Sequence, residues 1–334
     1  MRSLRSLLVT GGCGFIGSAF IRKLLCVENL PIRIVNLDLL TYAARLENVE
    51  PFVHHPKYQF IQGDICNQPL VEEILSSGID AIVHFAAETH VDRSIASALP
   101  FVETNVKGTL SLLEAARLFP DVHFHHISTD EVYGSLGKEG KFCESSPYLP
   151  NSPYSASKAA SDHLVRAFAQ TYQLSTTISH CSNNYGPGQY PEKLIPLILE
   201  KCLSGEPLPI YGKGDNVREW IYVDDHAEGV WRILQEGKRG EVYDIGGQIE
   251  LSNLELVHRF IETLAKETGQ DPEGYRSLIR FVEDRKGHDF RYAIDGSKMH
   301  KELGWIPSTP FEEGLVQTIR ARFVKKGDPL KCLS

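Results

Sequence analysis

At 334 residues, with 42% hydrophobic and 23% charged residues, the chain has room for a large buried core, as one big α/β domain or a domain with a smaller lobe. A formal net charge of -8 argues against a surface that neutralises a nucleic-acid backbone, and no apolar run is long enough to cross a bilayer. Seven cysteines, at 13, 26, 66, 143, 181, 202 and 332, are odd in number and form no CxxC pair, so no disulfide framework or zinc site is favoured and a reducing cytoplasm is expected.

The opening residues "MRSLRSLLVTGG" read as a first strand rather than a signal peptide. Glycines at 11, 12, 14 and 17 then lead into a helix whose Phe20, Ile21, Leu24 and Leu25 recur at helical spacing. This is the GxxGxxG form of a dinucleotide loop. Gly11, Gly14 and Gly17 let the backbone turn sharply and approach a pyrophosphate at the helix N-terminus. Cys13 inside the loop reads as a small filler. A glycine turn alone is a weak signal, so the next strand, "IRIVNLD", decides: Asp38 closes it about 21 residues after Gly17, where a carboxylate accepts the ribose hydroxyls and repels a 2′-phosphate. NAD is favoured over NADP.

Further along, "YQFIQGDI" brings Asp64 and Ile65 to a strand end, and "DAIVHFAA" ends at Phe85, Ala86 and Ala87, small enough to leave room for cofactor. Alternation of such strands with helical stretches such as "VKGTLSLLEAARLF" predicts a Rossmann-type, doubly wound parallel sheet with ligands at the carboxyl ends of its strands. The histidines of "VHFHHIS" and "FVHHPKY" lack carboxylates or cysteines at ligand spacing, so packed or hydrogen-bonded histidines are expected and no metal.

At the end of "VHFHHIS" stands "TDE". Asp130 and Glu131 meet one substrate only if the strand breaks there, because consecutive strand residues point to opposite faces. An isolated "DE" is by default an exposed acidic turn. The pattern "NSPYSASKAASDHLVRAF" argues otherwise: Ser152 and Pro153 fit an N-cap and first helical position, and Tyr154 and Lys158 fall four apart on one helical face. Lys158 and a cationic nicotinamide ring would favour the Tyr154 phenolate as a base. Beyond residue 185, Pro and Gly in "YGPGQYPEKLIP" and "SGEPLPIYGKGDN" break the βαβ rhythm. We expect a dinucleotide-binding domain over 1–185, with elements returning to it from about 218–247, and an interleaved smaller lobe over 186–334.

Taken together, "VTGGCGFIGS", "FAAETHVDRSI", "ETNVKGT", "HISTDEVYG", "SPYSASKAASDHLVRA", "CSNNYGPGQYPEKLIPL", "YGKGDNVREWIYVDDHA" and "DRKGHDFRYAID" make the chain resemble the nucleotide-sugar 4,6-dehydratases of the extended short-chain dehydrogenase/reductase superfamily. The likeness spans nearly the whole chain. It implies NAD as cofactor, with Phe15, Ile16, Leu39, Thr41 and Thr104 joining the residues above in its site. It implies oxidation at C4 through Tyr154, C5 proton removal by Glu131, proton donation to the C6 hydroxyl by Asp130, and a hydrogen bond from Thr129 to the C4 oxygen. Substrate contacts carry over to Thr89, Asn184, Glu192, Lys193, Leu194 and Asn253, with Arg218, Arg285 and His288 on the pyrophosphate and Tyr292 nearby. The expected substrate is a nucleoside-diphosphate glucose, with dTDP-glucose favoured over UDP-glucose, and a homodimer is expected through helices following Asn105 and Tyr154. Leu39, Ala44, Gly188 and Gln189 depart from the family's usual Lys, Gly, Tyr and His. An epimerase or decarboxylase of the same superfamily, or a nucleotide-sensing protein without turnover, are the rival readings.

Overall fold

The computed structural model describes residues 1–27, 30–285 and 287–323. Its strands are β1 (Ser6–Thr10), β2 (Arg33–Asp38), β3 (Tyr58–Gln62), β4 (Ala81–His84), β5 (His123–Thr129), β6 (Thr176–Cys181), β7 (Asn183–Tyr185), β8 (Leu208–Tyr211), β9 (Val217–Tyr222), β10 (Val242–Ile245), β11 (Ile249–Ser252) and β12 (Ile279–Val282). Seven of them form one parallel sheet in the order β10-β6-β5-β4-β1-β2-β3. Strand order reverses between β1 and β4, which opens a crevice at their carboxyl ends, the place where such sheets bind ligands.

Register brings the functional ends to one edge. Thr10 lies opposite both Leu37 and His84, His84 opposite His126, and Thr129 opposite Cys181. Alternation along the strands splits the core into two layers. Leu7 and Val9 pack with Phe20 and Ile21 and with Val230, Ile233 and Leu234 of the helix Val223–Glu236. Leu8, Leu37 and Ile82 instead face Val71, Leu112, Leu113 and Val165, from helices on the opposite side. The central strands of this sheet are covered on both faces, which is why β1, β4, β5 and β6 are buried throughout.

The remaining elements form a lobe with its own core. There β9 pairs antiparallel with β11 and parallel with β7, and β12 pairs parallel with β8. Ile198, Leu256, Val257, Phe260, Leu264 and Leu315 fill the space beneath helices Leu194–Ser204, Asn253–Thr268 and Phe311–Phe323. The chain rejoins the large sheet through the helix Val223–Glu236 and β10, whereas Val217–Tyr222 is spent on the lobe's three-stranded sheet. Among the described residues, no helix is long and apolar enough to cross a membrane.

Candidate active site

The glycine loop leaves β1 with backbone against backbone. Gly11 has φ +71°, and a Cβ there would lie 2.6 Å from the amide nitrogen of Ala86. The loop therefore tolerates no side chain where it meets the end of β4. Cys13 is buried beside it, and burial pushes its thiol up to about 12, in keeping with a filler. Asp38 accepts the backbone N–H of Cys13 at 2.9 Å and of Leu40 at 2.8 Å, one on each carboxylate oxygen. A carboxylate has about four lone-pair positions, so it keeps acceptors for a ribose diol. Around this point lies a cleft of about 300 Å³ whose wall includes Gly14, Phe15, Ile16, Gly17, Leu39, Thr41, Asp64, Ile65, Phe85, Ala87, Thr89 and Thr104. All these backbone turns and small or apolar walls fit a dinucleotide.

Asn105 ties the cleft's edge to the helix Pro153–Tyr172. Its carboxamide accepts Glu88 N–H at 2.9 Å and donates to Glu88 C=O at 3.0 Å and to Ser157 Oγ at 2.8 Å. Thr104 and Asn105 sit in a π-helical turn, Val102–Gly108, which widens the backbone there. Sequence reading placed Asn105 only at the start of a helix, because a clamp between three elements leaves no local pattern.

The strand does break at the acidic pair. β5 stops at Thr129, whose hydroxyl accepts the Glu131 N–H at 3.3 Å and caps a short 3₁₀ turn, Asp130–Tyr133. Neither carboxylate belongs to an exposed turn: Asp130 is 1% exposed and its Oδ2 has no hydrogen-bond partner among the described residues. Burial pushes Asp130 well above the usual carboxylate range, with Glu131 and Glu219 adding to the rise. Burial also raises Glu131, but Lys193, Arg218 and Arg285 draw it back toward the anion. Both acids are thus raised, but carboxylates add to the rise at Asp130 while cations oppose it at Glu131.

Ser152 and Ser155 cap the next helix reciprocally, and Pro153 occupies its first turn. This fixes Tyr154 and Lys158 over the cleft. Lys158 Nζ donates to the Ile127 carbonyl at 2.8 Å, and burial lowers the ammonium to about 8. Burial and the charge of Glu131 push the Tyr154 phenol up, against a hydrogen bond with Thr129 that lowers it.

A second cavity of about 240 Å³ adjoins the first, and Glu131, Asn184, Glu192 and Lys193 line both. Leu194, Arg218, Asn253, Arg285, His288 and Tyr292 complete the candidate set on its wall. The three phosphate-binding candidates are not alike. Arg218 donates to the carbonyls of Val217 and Asp289 and lies 4.3 Å above the Tyr292 ring, forming no ion pair among the described residues. Arg285 is paired with both oxygens of Asp92, and His288 stands 2.7 Å from Asp284. Asn184 also departs from a free substrate ligand: its carboxamide oxygen meets His226 Nδ1 at 2.8 Å and its nitrogen donates to Ser182 C=O. Among the described residues, no group of three or more His, Cys, Asp or Glu is placed to hold a metal, and Cys332 lies outside them.

Residues 8–318 match the family model described as GDP-mannose 4,6 dehydratase. The chain is 49% identical to a dTDP-glucose 4,6-dehydratase of Neisseria gonorrhoeae over 95% of each chain. It is 50% identical to one from Xanthomonas campestris pv. campestris, covering 93% of this chain and 91% of that one. A solved double mutant of dTDP-glucose 4,6-dehydratase from Streptomyces venezuelae, with NAD bound, is 48% identical and superposes with a TM-score of 0.90 over 98% of both chains.

Proposed function

The chain belongs to the dTDP-glucose 4,6-dehydratase family of short-chain dehydrogenases/reductases, and from that premise we infer that it is an NAD-dependent hydro-lyase converting dTDP-glucose to the 4-keto-6-deoxy sugar and water. The observation that carries this reading is the acid pair: buried Asp130 is pushed well up with carboxylates adding to the rise, while cations oppose the rise at Glu131, which reaches both cavities. An epimerase or decarboxylase needs hydride transfer but no such pair.

Bound NAD supplies the acceptor for the C4 hydride and gives that hydride back at C6. In our reading Tyr154 takes the O4 proton, with Thr129 hydrogen-bonded to the same oxygen. The C4 ketone acidifies the C5 proton, which Glu131 removes. Asp130, protonated in its seat, donates to the departing C6 hydroxyl so that water leaves. Glu131 then returns its proton to C5. Tyr154 ends the cycle one proton richer and Asp130 one poorer, so a single proton passed between them, directly or through solvent, restores the resting state.

Arg218 is the pyrophosphate ligand in this reading, since it is the member of the basic trio with no ion pair among the described residues. Lys193, Asn253, His288 and Tyr292 surround the nucleotide sugar with it. We further infer a homodimer, supported by exposed Leu99, Val102 and Leu118 along one helical run, and a reducing cytoplasm, supported by Cys13, Cys181 and Cys202 being buried thiols. Incubation with dTDP-glucose and UDP-glucose side by side tests the function: loss of one water from dTDP-glucose is expected, while an isomer or loss of carbon dioxide refutes the reading.

A further inference from the structure

Behind Lys158, away from the cleft, a line of buried polar side chains continues through the sheet. His126 Nε2 stands 3.2 Å from Lys158 Nζ and 3.3 Å from Asp162 Oδ1. Asp162 Oδ2 accepts from Ser128 Oγ at 2.9 Å and lies 3.0 Å from His180 Nε2, and His180 Nδ1 lies 3.1 Å from Asp244 Oδ1. Lys158 is 3% exposed, Asp162 1%, and His126, His180 and Asp244 not at all. Burying this much ionisable chemistry is costly unless charges are paired. Here Lys158 and His180 flank Asp162, and His180 also meets Asp244.

Each member has a distinct state. Burial disfavours a charged His180, but its bonds to Asp162 and Asp244 outweigh that and raise it to about 9, so it is an imidazolium at neutral pH. Burial likewise opposes an ionised Asp162, yet His126 and His180 hold it well below the carboxylate range. His126 is neutral, lowered to about 4 by burial and by Lys158. Among the groups facing Lys158, His84 on β4 and His126 on β5 are uncharged, and Cys181 on β6 is a thiol pushed up to about 12. Asp162, one helical turn along, is left as the fixed anion in that set.

His126 is the joint between them. Its Nε2 is hydrogen-bonded to Lys158 Nζ, while Asp162 Oδ1 lies 3.3 Å away without hydrogen-bond geometry. Its Nδ1 has no hydrogen-bond partner among the described residues. We propose that Asp162, with His126 and His180 around it, is a positioning residue that keeps Lys158 charged in its buried seat. This rests on Lys158 serving turnover as read above.

Four measurements test it. Asp162→Asn removes the anion, and the basic limb of kcat/KM for dTDP-glucose should move down by about one pH unit or more. Ser128→Ala, which removes one hydrogen bond and no charge, should leave that limb in place. A purely structural role predicts lower amplitude in both variants with an unmoved midpoint, and that result overturns the proposal. Should Asp162→Asn fail to fold, nitrogen NMR of histidine-labelled wild-type protein decides: His180 must carry both ring protons from pH 6 to 8, and a neutral His180 refutes the proposal. Lys158→Met separates the layers. Unchanged turnover in it sinks the role of Lys158 itself, whereas lost turnover with an unmoved limb in Asp162→Asn sinks only the inference about Asp162.

Discussion

The Tyr42 hydroxyl donates to Glu192 Oε1 at 3.0 Å, joining residues 150 apart in sequence across the mouth of the cofactor cleft. Arg93 covers the Tyr42 ring at 3.6 Å and lies 3.5 Å from Glu192, and Asn48 reaches the Gly188 carbonyl from the same side as Tyr42. These contacts hold the segment after β7 over the cleft. Glu192 is thereby committed to this latch as well as to the substrate wall.

Tyr42→Phe removes the hydroxyl and keeps the ring under Arg93. Faster loss of NAD from the purified protein is expected, by about five- to tenfold, the worth of one ordinary hydrogen bond. Stopped dilution into a cofactor scavenger, followed by absorbance, measures it. A variant that retains NAD as long as the parent would show that the latch does not restrain the cofactor.

Glu131→Gln keeps the shape and removes the base. Water elimination should fall by about a hundredfold or more, while reduction of bound NAD by dTDP-glucose still proceeds and accumulates as absorbance at the reduced-nicotinamide band. In the parent protein, solvent deuterium should enter C5 and the C4 hydride should reappear at C6. Full elimination by the variant would remove Glu131 from its assigned role.

Arg218→Lys keeps a cation but loses the fork held by the Val217 and Asp289 carbonyls. KM for dTDP-glucose should rise by about tenfold with kcat changed by less than about threefold, since the pyrophosphate is bound alike in ground and transition states. Equal KM values would move the phosphate site toward Arg285.

Stability should peak near neutral pH. Burial holds His123 and His226 down to about 3 and His126 to about 4, whereas the unfolded chain protonates them near 6.5. The unfolded state therefore binds more protons below 6.5, and stability is lost as pH falls from there toward 4. His180 has the opposite sign: its contribution is complete below 6.5 and is lost as pH rises through about 9. Denaturant titrations from pH 4 to 9 check both arms, and a flat acid arm would contradict the neutral, buried state of these histidines.

Local chemistry was what the sequence displayed best. Gly11, Asp38, the break after Thr129 and the Ser152–Pro153 helix start each depend on neighbours a few residues away, so spacing alone exposed them. The paired strand β9 was harder to place, because an apolar stretch such as Val217–Tyr222 does not declare which sheet receives it. His126, Asp162 and His180 come from β5, a helix and β6, and their grouping arises from parallel register rather than from any motif. Only the four-residue interval from Lys158 to Asp162 hinted at it. The burial of Tyr154, which raises its phenol, is likewise set by the fold and not displayed by the sequence.

The return of β10 to the edge of the large sheet has a bearing on how the molecule is made. β6 finds its outer neighbour only after Ile245 has been synthesised, so the last hydrogen-bonded position of the nucleotide-binding half is filled by a segment that follows much of the other half. A ribosome releasing this chain cannot finish one half before starting the other. Limited truncation after residue 185 should accordingly yield an aggregation-prone fragment with a bare strand rather than an autonomous cofactor-binding module.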